Sequence, residues 1–366
     1  MRSLPLVLPA LFAVVCGLIS SSGKSLGQVA DTASLRETAA PSLYFPSHQE
    51  PWKIVQAEKA GWNQRQLDAL VDWAGECGST SVLILWRGRV LAEKHWGKGI
   101  GGTTKRYQRM FVRLNESQRA IEDVASVQKS IVSILVGIAV HRNLLQVDDL
   151  VSNHLPVGWS KATPRQESQI KVKHLLSMTS GLTDDLHYRT KPGTRWAYNT
   201  AAYAVVRDCL VESAGMSVHE LTRKWLMDPI GMRESEWIPR AKSITALNAF
   251  GFASSARDLA RVGLLMQAEG NWAGKKVLPD DRFRLASLKA SQQLRPNYGY
   301  LWWLNDPVRL PAAPADTYSA NGALGRRVFV SPSLGLVVVR LGDEPKNVAA
   351  AGFDREFWRR LIAAQL

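Results

Sequence analysis

The segment Val127–Val140 constrains the fold of this 366-residue chain more than any other. Val, Ile, Leu or Ala occupies most of its positions, so a helix built from it is apolar on nearly every side. Such a helix must be enclosed by other elements. The chain has enough material for this, since 46% of its residues are hydrophobic.

Strand patterns occur near both ends of the chain. Ser81–Trp86 and Val90–Trp96 flank the turn sequence Arg87-Gly88-Arg89, which predicts a hairpin. Further strands are predicted in the last third, at Tyr298–Leu304, Arg327–Ser331 and Leu336–Leu341. The pattern predicts an α+β fold in which N- and C-terminal segments form one antiparallel sheet that is flanked by helices.

The middle of the chain, at about residues 147–237, is predicted to be an inserted all-helical region. Val172–Met178 and Ala201–Ser213 have helical patterns, and Ser217 with Glu220 forms a capping-box sequence. Outside this region, helices are predicted from Asn63 to Cys77, at Ala256–Glu269 and at Val348–Leu366.

The N-terminus is predicted to be an export signal. Residues 1–27 contain a basic start, an apolar run at Leu4–Ile19 and then small residues. The run is short and contains prolines, so no stable membrane insertion is expected after cleavage. Residues 28–50 are predicted to be a linker and residues 51–366 to be one domain. The expected location is secreted or periplasmic.

The charge of +14 favours anionic partners in general. No run of Lys or Arg exceeds two residues, so no nucleic-acid partner is expected. The Gly- and Arg-rich stretch Gly97–Arg119 is interpreted as a solvated loop, with a basic lip over an active site as the alternative. After cleavage of the predicted signal, which contains Cys16, only Cys77 and Cys209 remain. They permit one disulfide in an oxidising compartment, although structural thiols are the default. The seven histidines lack metal-ligand spacing, so no metal or other cofactor is expected.

A candidate nucleophile stands at the start of the apolar helix, in the S-x-x-K sequence Ser126–Lys129. Three residues along a helix bring Lys129 beside Ser126. The helix N-terminus stabilises charge on an attacking oxygen, and apolar surroundings let the Lys lose its proton and act as a base. Ser21–Lys24 and Ser168–Lys171 have the same spacing but lie in the predicted signal and in a polar turn. The alternative is Ser126 as a helix cap, with Lys129 extending to water.

Two further segments complete a pattern, Pro192–Thr200 (PGTRWAYNT) before a predicted helix and Ser319–Gly325 (SANGALG) before the last strand pair. With Ser126–Lys129 they resemble the three motifs of the serine β-lactamase and penicillin-recognising superfamily. His174–Leu182 (HLLSMTSGL) and Tyr298–Trp303 (YGYLWW) are similar to the branch that contains 6-aminohexanoate-dimer hydrolases and family VIII carboxylesterases.

The resemblance implies a class C β-lactamase-like (β-lactamase/transpeptidase-like) fold and assigns roles to single residues. Ser126 corresponds to the nucleophile, Lys129 to its base and Tyr198 to the residue that relays a proton to the leaving group. The N–H groups of Ser126 and Ala323 correspond to the oxyanion hole. The predicted substrate contacts are Thr200, Ala320, Asn321 and Gly322.

This sequence departs from the family pattern at two of these positions. Thr200 replaces the usual Asn of the second motif, and Ala320 replaces the Lys or His of the third. That cation helps to bind a substrate carboxylate in the family's β-lactamases and peptidases, so its loss argues against both activities. Arg326 or Arg327 is a candidate replacement, and the alternative for both is exposed charge on an edge strand.

The predicted function is a secreted serine hydrolase that cleaves a small-molecule ester or small amide through an acyl-enzyme on Ser126. A β-lactamase or D-Ala-D-Ala carboxypeptidase is the enzymatic alternative, and a catalytically inactive binding protein on the same fold is the alternative from another class. His174 is predicted to be a buried structural residue, because no G-x-S-x-G sequence exists to partner it. Trp302 and Trp303 are predicted core residues, with one of them lining the cleft as the alternative.

Overall fold

The computed structural model describes residues 42–47, 50–97, 102–240, 249–346 and 348–366. The predicted signal at residues 1–27 and most of the predicted linker lie outside these ranges. Near the start of the described residues, the Tyr44 N–H donates to the Arg87 carbonyl at 3.0 Å. The predicted domain limits, residues 51–366, stay a prediction. Among the described residues, no helix is both long and apolar enough to cross a membrane.

The strands of the described residues form three antiparallel sheets. In chain order they are β1 Ser79–Trp86, β2 Arg89–His95, β3 Phe111–Leu114, β4 Ala120–Asp123, β5 Glu236–Pro239, β6 Phe250–Ser254, β7 Asn271–Trp272, β8 Lys275–Lys276, β9 Trp303–Leu304, β10 Tyr318–Asn321, β11 Arg327–Ser331 and β12 Leu336–Gly342.

The helices are α1 Gln64–Glu76, α2 Lys105–Gln108, α3 Val127–His141, α4 Pro164–Glu167, α5 Val172–Leu176, α6 Thr200–Ala214, α7 Val218–Thr222, α8 Asp228–Ile230, α9 Ala256–Gln267, α10 Asp281–Ser287 and α11 Ala350–Ala363. A π-helical turn at Arg223–Met227 joins α7 to α8.

The main sheet confirms the predicted α+β architecture. Its strand order is β2-β1-β12-β11-β10-β9, so the N-terminal hairpin pairs with a C-terminal strand. Leu83 lies opposite Val339 in the antiparallel pair of β1 and β12. Helices cover both faces of the sheet, which explains why β1 and β12 are buried along almost their whole length.

The helix α3 is buried from Val127 to Ala139, as its apolar sequence predicts. Helices α4 to α8 form the helical region between the two groups of main-sheet strands. Asn63 caps α1 by accepting from the Gln66 N–H at 3.0 Å, and Ser217 with Glu220 forms the predicted capping box. The helical region is predicted to end at about residue 237. In the structure it ends slightly earlier, because β5 begins at Glu236.

Two segments differ from the sequence prediction. Within the stretch interpreted as a solvated loop, α2 and β3 form, and β3 joins a second sheet of order β3-β4-β6-β5. In the predicted strand Tyr298–Leu304, only Trp303 and Leu304 are extended in a sheet. The rest of the predicted strand, residues 298–302, is an irregular loop. It is held against α3 by the Ser130 hydroxyl, which donates to the Leu301 carbonyl at 2.7 Å.

Candidate active site

Ser126 lies where β4 turns into α3. Ala125, just before it, has a φ of 52°, a left-handed conformation that is unfavourable for a residue with a Cβ. The Asp123 carboxylate supports this turn, because its Oδ1 accepts from the Ala125 N–H at 2.9 Å. Ser126 is the N-cap residue of α3 but makes no side-chain cap hydrogen bond. The interpretation of its hydroxyl as a helix cap is therefore wrong.

Lys129 lies one helical turn after Ser126 and is 2% exposed, so it does not extend to water. Its Nζ is 3.0 Å from the Ser126 Oγ and 3.2 Å from the Thr200 Oγ1. The rings of Tyr198 and Tyr203 enclose the amine, with centroids 5.0 and 4.7 Å from the Nζ. Burial, with a smaller contribution from the Arg240 guanidinium, lowers the pKa of Lys129 to about 7. A large fraction of the amine is thus neutral at physiological pH.

Tyr198 reaches the nucleophile from the segment before α6. Asn199 caps this helix, since its Oδ1 accepts from the Ala202 N–H at 2.9 Å. Burial raises the pKa of the Tyr198 phenol above its usual value, and interaction with the Ser126 side chain opposes this shift. The phenol is therefore protonated at neutral pH, which leaves Lys129 as the base candidate. Trp303 stacks on the Tyr198 ring at a centroid distance of 6.1 Å.

The segment after β10 closes against the start of α3. A Cβ at Gly322 would lie 2.4 Å from the Val124 carbonyl oxygen, so only glycine permits this approach. Ala323 follows and lines the same cavity as Ser126. Within the described part of the chain, neither the Ser126 nor the Ala323 N–H donates to an acceptor, so both are available to an oxyanion.

Not every predicted substrate contact faces this cavity. Thr200 lines it, but Ala320 is 2% exposed and belongs to the hydrophobic core. Asn321 lines a separate small cavity near Trp303. Gly322 acts through its missing side chain rather than by lining the wall.

Arg326 and Arg327 do not replace the missing cation, and neither is exposed edge charge. Arg326 is buried and pairs with Glu122 at 2.8 Å, while Arg327 is buried and pairs with Asp354 at 3.0 Å. The physical reason is that β11 lies inside the main sheet, between β10 and β12. Both guanidiniums are thus held in ion pairs away from the cavity.

The cavity over Ser126 has a volume of about 880 Å³. Arg240 and Asp123 form an ion pair in the wall of this cavity. The Arg240 Nε donates to the Asp123 Oδ2 at 2.7 Å, and the Arg240 Nη2 donates to the Asp123 Oδ1 at 2.9 Å. Residues of α2, β3 and the turn between them form another side of the wall, including Arg106 and Arg109. This arrangement matches the basic-lip alternative. Sequence analysis did not identify Asp123 or Arg240, because their contact spans two distant segments and leaves no local pattern.

The other residues singled out in the sequence, His174, Lys171 and Trp302, do not line the cavity over Ser126. His174 is partly buried rather than buried, and its Nδ1 accepts from the Lys171 N–H at 3.0 Å. Burial lowers the pKa of His174 to about 4. Lys171, of the second S-x-x-K sequence, pairs with Asp148 at 3.2 Å near the surface. Trp302 is buried in the core, so Trp303 is the tryptophan of the pair that contacts the site. No group of three or more His, Cys, Asp or Glu side chains among the described residues is placed to hold a metal ion.

Comparison with known proteins places the chain in a family. A sequence model of the Beta-lactamase family matches residues 64–361. An uncharacterized protein of Alkalihalophilus pseudofirmus is 24% identical over 312 residues, which cover 76% of this chain and 86% of the relative.

Several solved structures have the same fold. A candidate beta-lactamase from Bacteroides dorei has a TM-score of 0.64 and 18% identity, with 82% of this chain and 99% of the other covered. The hydrolase EstCE1 has a TM-score of 0.63 and 16% identity, with coverage of 84% and 99%. A candidate 6-aminohexanoate-dimer hydrolase from Bacillus anthracis has a TM-score of 0.61 and 14% identity, with coverage of 86% for both chains.

Proposed function

The chain belongs to the beta-lactamase family of serine hydrolases, and on this premise we propose that it cleaves an ester or small amide through an acyl-enzyme on Ser126. One observation carries the proposal. The Lys129 Nζ lies 3.0 Å from the Ser126 Oγ, inside a pocket that lowers the pKa of the amine to about 7. A Ser nucleophile requires a base at this distance that is neutral near physiological pH.

In the first step, the Ser126 Oγ attacks the substrate carbonyl carbon while Lys129 takes the hydroxyl proton. The developing oxyanion accepts hydrogen bonds from the N–H groups of Ser126 and Ala323, which lie at the start of α3 and after β10. Collapse of the tetrahedral intermediate breaks the bond to the leaving group. Tyr198 gives its proton to the departing oxygen or nitrogen and regains one from Lys129.

In the second step, water attacks the acyl-enzyme carbonyl. Lys129 accepts the water proton, with Tyr198 as a relay, and the same pair returns one proton to the Ser126 Oγ as the acid product leaves. The resident groups thus return to their starting state, and the overall reaction consumes one water molecule. The proposed substrate is a small molecule, and the signal predicted at residues 1–27 favours a reaction outside the cytoplasm.

Esters are proposed ahead of β-lactams because of the third motif. Ala320 is buried in the core, and neither Arg326 nor Arg327 reaches the cavity to supply the family's carboxylate-binding cation. Among similar structures, EstCE1 is described as a hydrolase with promiscuous acyltransferase activity. An inactive binding protein is disfavoured, because a decayed site has no reason to keep Lys129 buried beside Ser126.

The test is labelling of the protein with a fluorophosphonate probe, in wild-type and Ser126→Ala forms, with the adduct located by peptide mass. We expect labelling at Ser126 in the wild type and none in the variant. Lys129→Met is the second variant, and it should slow labelling strongly while the protein stays folded. Absence of labelling in folded wild-type protein would favour the binding-protein alternative.

A further inference from the structure

The arginines of the lip differ in whether a carboxylate holds them. We define the lip as residues 102–119, which contain α2 and β3. Arg113 pairs with Glu236, Arg119 with Glu93 at 3.5 Å and Arg106 with Glu344 at 3.7 Å. Arg109 is exposed and has neither an ion-pair partner nor a side-chain hydrogen bond within the described ranges of the chain.

Arg109 lines the same cavity as Ser126. The other charged groups of the wall are largely accounted for, because Arg240 is bound by Asp123 and the buried Lys129 contacts Ser126. Arg106 also lines the cavity, and its pair with Glu344 is exposed on both sides, so it is weak. The mouth of the cavity therefore presents positive charge that no carboxylate of the described residues neutralises.

Apolar residues line the same cavity as Arg109. Met110, Phe111 and Val112 follow it directly along the chain, and Ile238 with Pro239 lines the cavity as well. Such a wall binds a hydrocarbon chain, whereas an unpaired guanidinium binds an anion, and a planar carboxylate matches its donors best. These two features together describe one ligand, an apolar chain that ends in a carboxylate.

We propose that Arg109 is the specificity-determining residue for substrates whose acyl chain ends in a carboxylate, which enters from the lip side of the cavity. This inference rests on the proposed function, since it names the substrate class of the same site. It places the subsite for the substrate carboxylate on the lip. The third motif has the buried Ala320 where the family has a carboxylate-binding cation. Arg106 adds positive charge at the mouth but is not required to contact the carboxylate.

The test compares two esters of equal acyl length, 4-nitrophenyl hydrogen adipate and 4-nitrophenyl hexanoate, which differ in the terminal carboxylate. The readout is the ratio of their kcat/KM values. We expect the wild type to prefer the adipate by about tenfold at low salt, as a charge-assisted hydrogen bond to Arg109 provides. Arg109→Gln should bring the ratio close to one, and Arg109→Lys should retain part of the preference. Added salt should reduce the wild-type preference.

Arg113→Gln is the matched control, because Arg113 is on the same lip but is bound to Glu236 and does not line the cavity. It should leave the ratio unchanged. A wild type that hydrolyses hexanoate without preferring adipate, or an Arg109→Gln variant with an unchanged ratio, would overturn the inference while the proposed function stands.

Hydrolysis of neither ester, together with no probe labelling at Ser126, would count against the proposed function. The inference is then decided by calorimetric binding of the adipate ester to Ser126→Ala protein. Arg109→Gln must weaken this binding about tenfold. Equal binding with and without Arg109, or no binding in either form, would overturn it.

Discussion

Lys129 is a buried amine whose charge depends on the groups that face it. Among the described residues these groups are Ser126 on its own helix, Thr200, Tyr198 and Tyr203 from α6 and the segment before it, and Arg240 after β5 with its partner Asp123. None of them is a carboxylate in direct contact with the Nζ. Burial therefore lowers the pKa of Lys129 without an opposing ion pair, and Arg240 adds to the effect.

The pH dependence of acylation should report this arrangement. Lys129 acts as a base only when neutral, so kcat/KM and the rate of probe labelling should rise as the pH increases through about 7. Arg240→Gln removes a positive charge that favours the neutral amine, so the pKa of Lys129 should rise. The rising limb of the pH–rate profile should then move to higher pH. Arg240→Lys keeps the charge and should hold the limb near its wild-type position. Identical limbs in all three proteins would contradict this account.

At the scale of elements, one carboxylate joins strands of different sheets. Glu122 of β4 accepts from Thr80 of β1 and from the Tyr107 hydroxyl of α2 at 2.9 Å, and it pairs with Arg326 at 2.8 Å. Glu122 and Arg326 are both 0% exposed. The lip and the strand that leads to Ser126 are therefore anchored to the main sheet by one buried cluster.

Glu122→Gln should destabilise the protein strongly, because it leaves the Arg326 charge buried without a carboxylate. Breaking a buried pair in this way costs about 3–5 kcal/mol. The free energy of unfolding in denaturant measures the effect, and Glu116→Gln on the exposed part of the lip serves as the control, with a change of less than about 0.5 kcal/mol. A loss below about 1 kcal/mol for Glu122→Gln would show that the cluster does not anchor the lip.

At the scale of the whole folded unit, helices on the two faces of the main sheet create two hydrophobic clusters. Leu83 and Val339 point into the cluster around α3, whereas Ile84 and Val338 point into the cluster under α1 and α11. Alternation along each strand produces this division. Cys77 belongs to the second cluster, Cys209 to the first, and both are free buried thiols.

The two cysteines should therefore stay reduced even in an oxidising compartment. Burial raises the pKa of both thiols, and the sheet separates them. Alkylation of protein unfolded without reductant, followed by mass analysis, should show both thiols modified. The Tm should be the same with and without dithiothreitol. A Cys77–Cys209 linked peptide would refute this expectation.

Several features of the fold could be predicted from local sequence because their physical cause is local. The apolar residues of α3 must be buried wherever the helix lies, and Asn63 or Ser217 caps whatever helix follows it. The hairpin of β1 and β2 follows from its turn residues. By contrast, Phe111–Leu114 shows no strand pattern that stands out from a loop. It becomes β3 because β4 pairs with it.

The sequence by itself determined the nucleophile pair, because one helical turn places Lys129 beside Ser126, and the buried helix that carries them. It also determined the pairing of N- and C-terminal strands in outline, through their apolar runs. Only the tertiary structure decided the surroundings of this pair: the Asp123–Arg240 contact, the burial of Ala320, Arg326 and Arg327, and the lip with Arg109 in the cavity wall. These depend on residues far apart in the chain, and local periodicity carries no information about which distant side chains meet.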